Sequence, residues 1–119
     1  MEFRYTDYEA ANIMLGYLNV LRESVGVEKL QLDTTLIEKA KIQVQKYSET
    51  GKYNSIGISA NYVDGGNSIR HHFEKWKAGN GYNNMVNSSF KYFGYALCRN
   101  PHASGGNSHY GIQYFWDSK

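Results

Sequence analysis

Four histidines set the first chemical question, and their spacing limits what they could do. His71 and His72 are adjacent, with Glu74 close behind. A helical zinc site needs two imidazoles on one face, as a His-Glu-x-x-His run supplies. Neighbouring helical positions diverge by about 100°, so His71 and His72 cannot grip one ion together. His72 shares a face with Trp76 and reads as a hydrogen-bonded packing residue, while His71 reads as solvent-facing beside Lys75. His102 and His109 flank Gly105-Gly106. A folded-back loop could pair them into a two-His site; a flexible polar hairpin loop is the plainer reading. Gly105-Gly106-Asn107 precedes no helix start and is not a phosphate cradle.

Ser55, Ser59 and Ser68 lack both a His-acid pair and a Gly-x-Ser-x-Gly elbow, so serine-hydrolase chemistry has no support. Cys98 is the sole cysteine, which excludes an intrachain disulfide. In a strand it reads as a small buried apolar group. The remaining chemistry is aromatic and amide. Tyr53, Tyr62, Tyr82, Tyr92 and Tyr110, with Asn54, Asn61, Asn80, Asn83 and Asn84, could edge a cleft for a carbohydrate or peptide.

The elements that must position these groups are marked by caps and periodicity. Thr6 and Glu9 form a capping-box pattern. Ala10, Ile13, Met14, Tyr17, Leu18 and Leu21 then recur at helical spacing to about Glu23, and Gly26 breaks the run. A second helix starts at Asp33-Thr34-Thr35, carries Ile37, Ala40, Val44 and Tyr47 on one face, and stops at Gly51. Ile56 to Val63 alternates and predicts a strand. Asn67 or Ser68 caps a third helix with Ile69, His72, Phe73 and Trp76 on its apolar face. Gly79 and Gly81 end it. Tyr92 to Leu97 and Tyr110 to Trp116 are the clearest strands, joined by a loop over 100–107. One α+β domain over 1–119 follows, a three-layer α-β-α sandwich whose small, mainly antiparallel sheet is flanked by helices.

Composition narrows the function classes. The chain has 119 residues, 41% hydrophobic and 20% charged, with 11 Tyr and a formal charge of +2. Residues 1–51 carry 6 Lys/Arg against 8 Asp/Glu, and residues 52–119 carry 7 against 3. The basic residues are scattered, with no phosphate-tracking stripe, so nucleic acid is not an expected partner. No apolar run approaches the roughly 20 residues that span a bilayer, and Met1 to Arg4 is not a signal peptide. The chain is either cytosolic or a mature domain whose export segment has been removed.

Several short motifs agree in order. Leu30 and Asp33 lie between the first two helices, and Thr50-Gly51-Lys52 ends the second. Trp76, Asn84-Met85-Val86, Phe93-Gly94-Tyr95-Ala96 and Tyr110-Gly111-Ile112-Gln113-Tyr114-Phe115-Trp116 follow. Together they resemble the CAP superfamily (cysteine-rich secretory proteins, antigen 5 and plant pathogenesis-related proteins) in its short bacterial form, across nearly the whole chain. Lys29 stands where relatives carry a proline.

The resemblance implies a central cleft in which two His and two Glu hold a divalent metal in many members. At the matching positions this chain has Tyr53-Asn54-Ser55, Gly57-Ile58-Ser59, Gly79 and Tyr110, and Tyr82 replaces a further His. Hydroxyls are poor neutral-pH metal ligands, and Ile58 and Gly79 offer none. A one-residue slip would restore His109 but turn it to the other face of its strand. No metal or other cofactor is therefore expected.

The expected function is a non-enzymatic, monomeric domain, secreted or displayed on a bacterial surface, that binds a lipid or sterol, a glycan or a protein of host or envelope. Membrane anchoring would run only through a removed N-terminal segment. The expected ligand-binding residues are Ser55, His72, Tyr82, His109 and Tyr110, lining the former cleft. The alternative is a hydrolase or peptidase with His72 or His109 as base, which would need a nucleophile or metal within about 3 Å.

Overall fold

The capping residues read from the sequence start the helices observed in a computed structural model of the chain, which describes residues 6–102 and 109–117. Helix α1 (Asp7–Ser24) begins with the Thr6–Glu9 capping box, in which Thr6 N–H donates to Glu9 Oε1 at 2.9 Å and Glu9 N–H to Thr6 Oγ1 at 3.1 Å. Strand β1 (Gln31–Leu32) follows. Asp33 caps α2 (Thr34–Thr50), which ends at Gly51 in the left-handed conformation, φ 73°. Strand β2 (Ser59–Asp64) leads to α3 (Ile69–Lys77), capped by Ser68. One turn of helix, α4 (Tyr82–Met85), precedes β3 (Tyr92–Arg99) and β4 (His109–Trp116).

The four strands form one sheet in the order β1-β3-β4-β2, antiparallel except for the β1–β3 pair. Side chains alternate between its faces. Tyr92, Ala96, Tyr110, Ile112 and Tyr114 pack with Leu36, Ala40, Val44 and Tyr47 of α2. Phe93, Tyr95 and Phe115 pack on the opposite face with Ala10, Met14 and Leu18 of α1 and Phe73 and Trp76 of α3. These are the three expected layers.

Gly94 lets α2 lie directly on the sheet, since a Cβ there would stand 2.5 Å from the Leu36 carbonyl carbon and 2.6 Å from Ile37 N. Two expectations shift. The strand expected from Ile56 begins at Ser59, because Gly57 takes a left-handed φ of 80° that interrupts extended backbone. The connector before Asp33 adds the short parallel strand β1, held by Gln31 N–H to the Lys91 carbonyl and Asp33 N–H to the Phe93 carbonyl, both 2.9 Å.

Candidate functional site

His72 lies on the inward face of α3 and is wholly buried. Its Nε2 is 3.0 Å from the Gly65 carbonyl, and its Nδ1 is 2.8 Å from the Tyr95 hydroxyl. A carbonyl can only accept, so Nε2 carries the proton and Nδ1 accepts from Tyr95. Gly111 makes room for the ring, since a Cβ there would fall 2.6 Å from Nδ1. Burial pushes the imidazole down to about 4, and the charges of His109, His71 and Lys75 act the same way, against the opposing Gly65 bond. Both nitrogens are engaged and the ring has no path to solvent. It serves as a structural connector, as its shared face with Trp76 suggested.

The outer edge of β2 carries the polar-aromatic cleft. Its volume is about 440 Å3, and it is lined by Tyr53, Ala60, Asn61, Tyr62, Lys75, Trp76, Asn80, Gly81 and Asn84. Three side chains donate to the outward carbonyls of β2: Asn84 Nδ2 to Ala60 at 3.2 Å, Trp76 Nε1 to Tyr62 at 3.1 Å, and Lys75 Nζ to Asp64 at 3.3 Å. They occupy acceptors that would otherwise template another strand. Asn61 Nδ2 donates to the Gly81 carbonyl at 3.0 Å and to Gln113 Oε1 at 2.9 Å, while its Oδ1 accepts from Asn84 Nδ2 at 2.9 Å. This amide chain fixes the floor. Gly81 must be small, because a Cβ would sit 2.9 Å from Asn61 Nδ2 and 3.0 Å from Trp76 Cβ.

At the rim, Tyr53 stacks on Tyr62 with ring centroids 3.9 Å apart and planes 9° from parallel. Tyr47 meets both rings edge-on, at 5.6 and 6.3 Å, which anchors the pair to α2. Tyr53 nevertheless remains 55% exposed. Burial raises the Tyr62 hydroxyl pKa, with a smaller contribution from Tyr53. Burial likewise pushes the Tyr47 hydroxyl up to about 12. These hydroxyls stay neutral at physiological pH and act as hydrogen-bonding groups rather than bases.

The five residues expected to line one cleft are not brought together. His72 and Tyr110 are both buried, on opposite faces of the sheet. Tyr110 packs against Tyr47 at 4.8 Å beneath α2. His109, one residue earlier, points to the side of His72 and is half-buried. Tyr82 opens α4 and packs partly against the core beside α1 and α3. Ser55 is exposed between α2 and β2. Of the wider aromatic and amide set, Tyr53, Tyr62, Asn61, Asn80 and Asn84 do meet in the cleft.

The metal implied by the family does not fit the residues present. Among the described residues no three His, Cys, Asp or Glu side chains converge as an ion requires. Ile58 and Gly79 bring no donor, and Tyr110 is buried. His102 is exposed, and the Gly105-Gly106 loop that would join it to His109 lies outside the described residues.

The buried positions of two polar residues, Arg22 and Gln113, are not anticipated from the sequence. Arg22 has no exposed surface, and its guanidinium donates to the carbonyls of Glu28 (2.6 Å), Met85 (2.9 Å), Asn87 (3.1 Å) and Phe90 (3.3 Å). It ties α1 to the segment that carries α4, which forms one wall of the cleft. Gln113 is fully buried within an otherwise apolar strand. A polar residue at an inward position of a strand pattern was the available signal for it.

Residues 15–116 match the model of the family described as CAP, Cysteine-rich secretory protein family. No curated protein sequence matches. Among solved structures, a cysteine-rich secretory protein of Staphylococcus aureus superposes with a TM-score of 0.74 at 11% identity, over 97% of this chain and 40% of that one. The chain thus spans about two fifths of the staphylococcal protein. Hookworm platelet inhibitor gives a TM-score of 0.67 at 20% identity, over 100% of this chain and 75% of its own. An outer surface protein of Borrelia burgdorferi gives 0.60 at 11% identity, over 97% and 98%. At these identities the likeness is one of fold, and it runs end to end in the Borrelia case. With the family match covering most of its length and the three-layer fold shared, the chain belongs to the CAP, cysteine-rich secretory protein, family.

Proposed function

We propose that this domain is a non-enzymatic binding module, secreted or held at a cell surface, that takes its ligand in the cleft along the outer edge of β2. The observation that carries this reading is the Tyr53–Tyr62 stack, 3.9 Å apart, at the mouth of a polar cleft of about 440 Å3. Small-ligand sites commonly measure about 300–1,000 Å3 and combine rings with a few placed polar groups. An aromatic ring held by two neighbours yet left half in water is a surface kept ready for contact rather than packing.

Catalysis through His72 is disfavoured by its surroundings. His72 is sealed with both nitrogens bonded, so it cannot take a proton from a substrate. Display outside the cell is supported by the secretory family and by the fold shared with a Borrelia outer surface protein. No described helix is long and apolar enough to cross a membrane.

The test is a fragment screen read by amide NMR shifts. Hits that move Asn61, Asn80, Gly81 and Asn84, and that weaken in Tyr53→Ala, support the reading. Hits confined to the groove of Tyr17, Val20, Leu21 and Phe73 on the α1–α3 side would overturn it.

A further inference from the structure

We infer that the ligand class of this cleft is a neutral saccharide, an inference that rests on the cleft being the binding site. A pyranose presents C–H bonds on one face and hydroxyls around its edge. The cleft offers a partner for each. The face of Tyr53, backed by Tyr62 and 55% exposed, takes the apolar side of a sugar ring. The carboxamides of Asn61, Asn80 and Asn84 line the adjoining wall. A carboxamide can both donate and accept, as a hydroxyl does. Exposed Asn80 offers both functions to a ring of hydroxyls, whereas Asn61 spends both its N–H groups on Gly81 and Gln113 and serves as a support. Asn84 uses its Nδ2 on Ala60 and Asn61, leaving its Oδ1 to accept from a ligand. The Asn61–Gln113 bond holds the wall in one arrangement, so little ordering is needed on binding.

The same lining argues against other ligands. An anion would seek several cations or an Arg fork, whereas Lys75 is the charged residue in the wall and its Nζ already donates to the Asp64 carbonyl. A sterol or acyl chain would leave the Asn80 amide and the Asn84 Oδ1 facing hydrocarbon, which is costly for polar groups. The peptide alternative fits least along the strand edge, because Asn84, Trp76 and Lys75 already occupy the β2 carbonyls that an added strand would use.

Titration of labelled protein with triacetylchitotriose and with cellotriose tests this, the first standing for amino-sugar envelope polymers and the second for plain hexose glycans. At least one should shift the amides of Asn61, Asn80, Gly81 and Asn84 saturably, with a dissociation constant of about 1 mM or tighter. Tyr53→Ala should weaken it at least about tenfold, while Tyr53→Phe, which keeps the ring face, should retain binding within about threefold. Tyr53 is exposed, and an otherwise unchanged spectrum verifies that the variants are folded. Phosphatidylcholine–cholesterol vesicles and inorganic phosphate form the comparison arms. If those shift the cleft and neither sugar does, the saccharide assignment falls while the cleft remains a binding site. If sugars shift only residues elsewhere, both fall. Equal affinity in wild type and Tyr53→Ala would also overturn the assignment.

Discussion

Lowering the pH from 7 to 5 should remove about 2 kcal/mol of stability through His72 alone. In the native protein burial holds this imidazole at about 4, whereas in the unfolded chain it titrates near the ordinary value of about 6.5. The sign follows from linkage. Above about pH 6.5 both states are neutral at this site and stability is full. As pH falls below that, the unfolded state gains the proton first, so stability declines until the native ring titrates as well. At about 1.4 kcal/mol per unit, the interval from 6.5 to 5 costs about 2 kcal/mol, and the full gap to 4 about 3.5 kcal/mol. Urea unfolding monitored by tryptophan fluorescence should therefore show the midpoint falling by about 1 M between pH 7 and pH 5. His72→Gln can keep a donor and an acceptor but cannot titrate. It should start less stable and show a much flatter pH dependence. Parallel decline of the two proteins would refute the assignment, as would an imidazole resonance of His72 titrating near 6.5.

Three further outcomes follow from packing. Gly94→Ala should cost about 3 kcal/mol or more in chemical denaturation, because the added carbon meets helix backbone at 2.5 Å that has no flexible end to move. Arg22→Met should cost roughly 3 kcal/mol, since carbonyls of Glu28, Met85, Asn87 and Phe90 lose their donor; hydrogen exchange should quicken across 85–91 more than in β4. Ser68→Ala should cost about 1 kcal/mol, measured the same way, through the lost bond from His71 N–H at 3.0 Å.

The three long helices were legible because caps act locally, whereas the single turn α4, which has no side-chain cap, was not. Thr6 with Glu9, Asp33, Ser68 and Gly51 each fix a terminus through atoms within a few residues. The two long strands showed in their aromatic content. Strand β1 did not, since two residues carry no period and the pairing partner, Tyr92-Phe93, is distant in sequence. The site was legible in kind more than in membership. Tyr53, Tyr62 and the asparagines were recognisable as binding residue types. Which of them share a surface depends on register across β2 and β4, where Asp64 pairs with Tyr110 and Asn61 with Gln113. That register sends Tyr110 beneath α2 and leaves Asn61 on the other face, beside Asn84. No local pattern encodes it. Arg22 was hidden for a related reason: arginine is ordinarily a surface residue, and three of its four acceptors come from the end of α4 and the segment after it, distant in sequence.

The most direct measurement is a crystal structure of the protein grown with a neutral oligosaccharide. The account predicts a sugar ring lying flat on Tyr53 with its hydroxyls bonded to Asn80 and Asn84. Density for the sugar against the Tyr17–Phe73 groove instead, or a cation held by His109 with the β2 edge left bare, would contradict it.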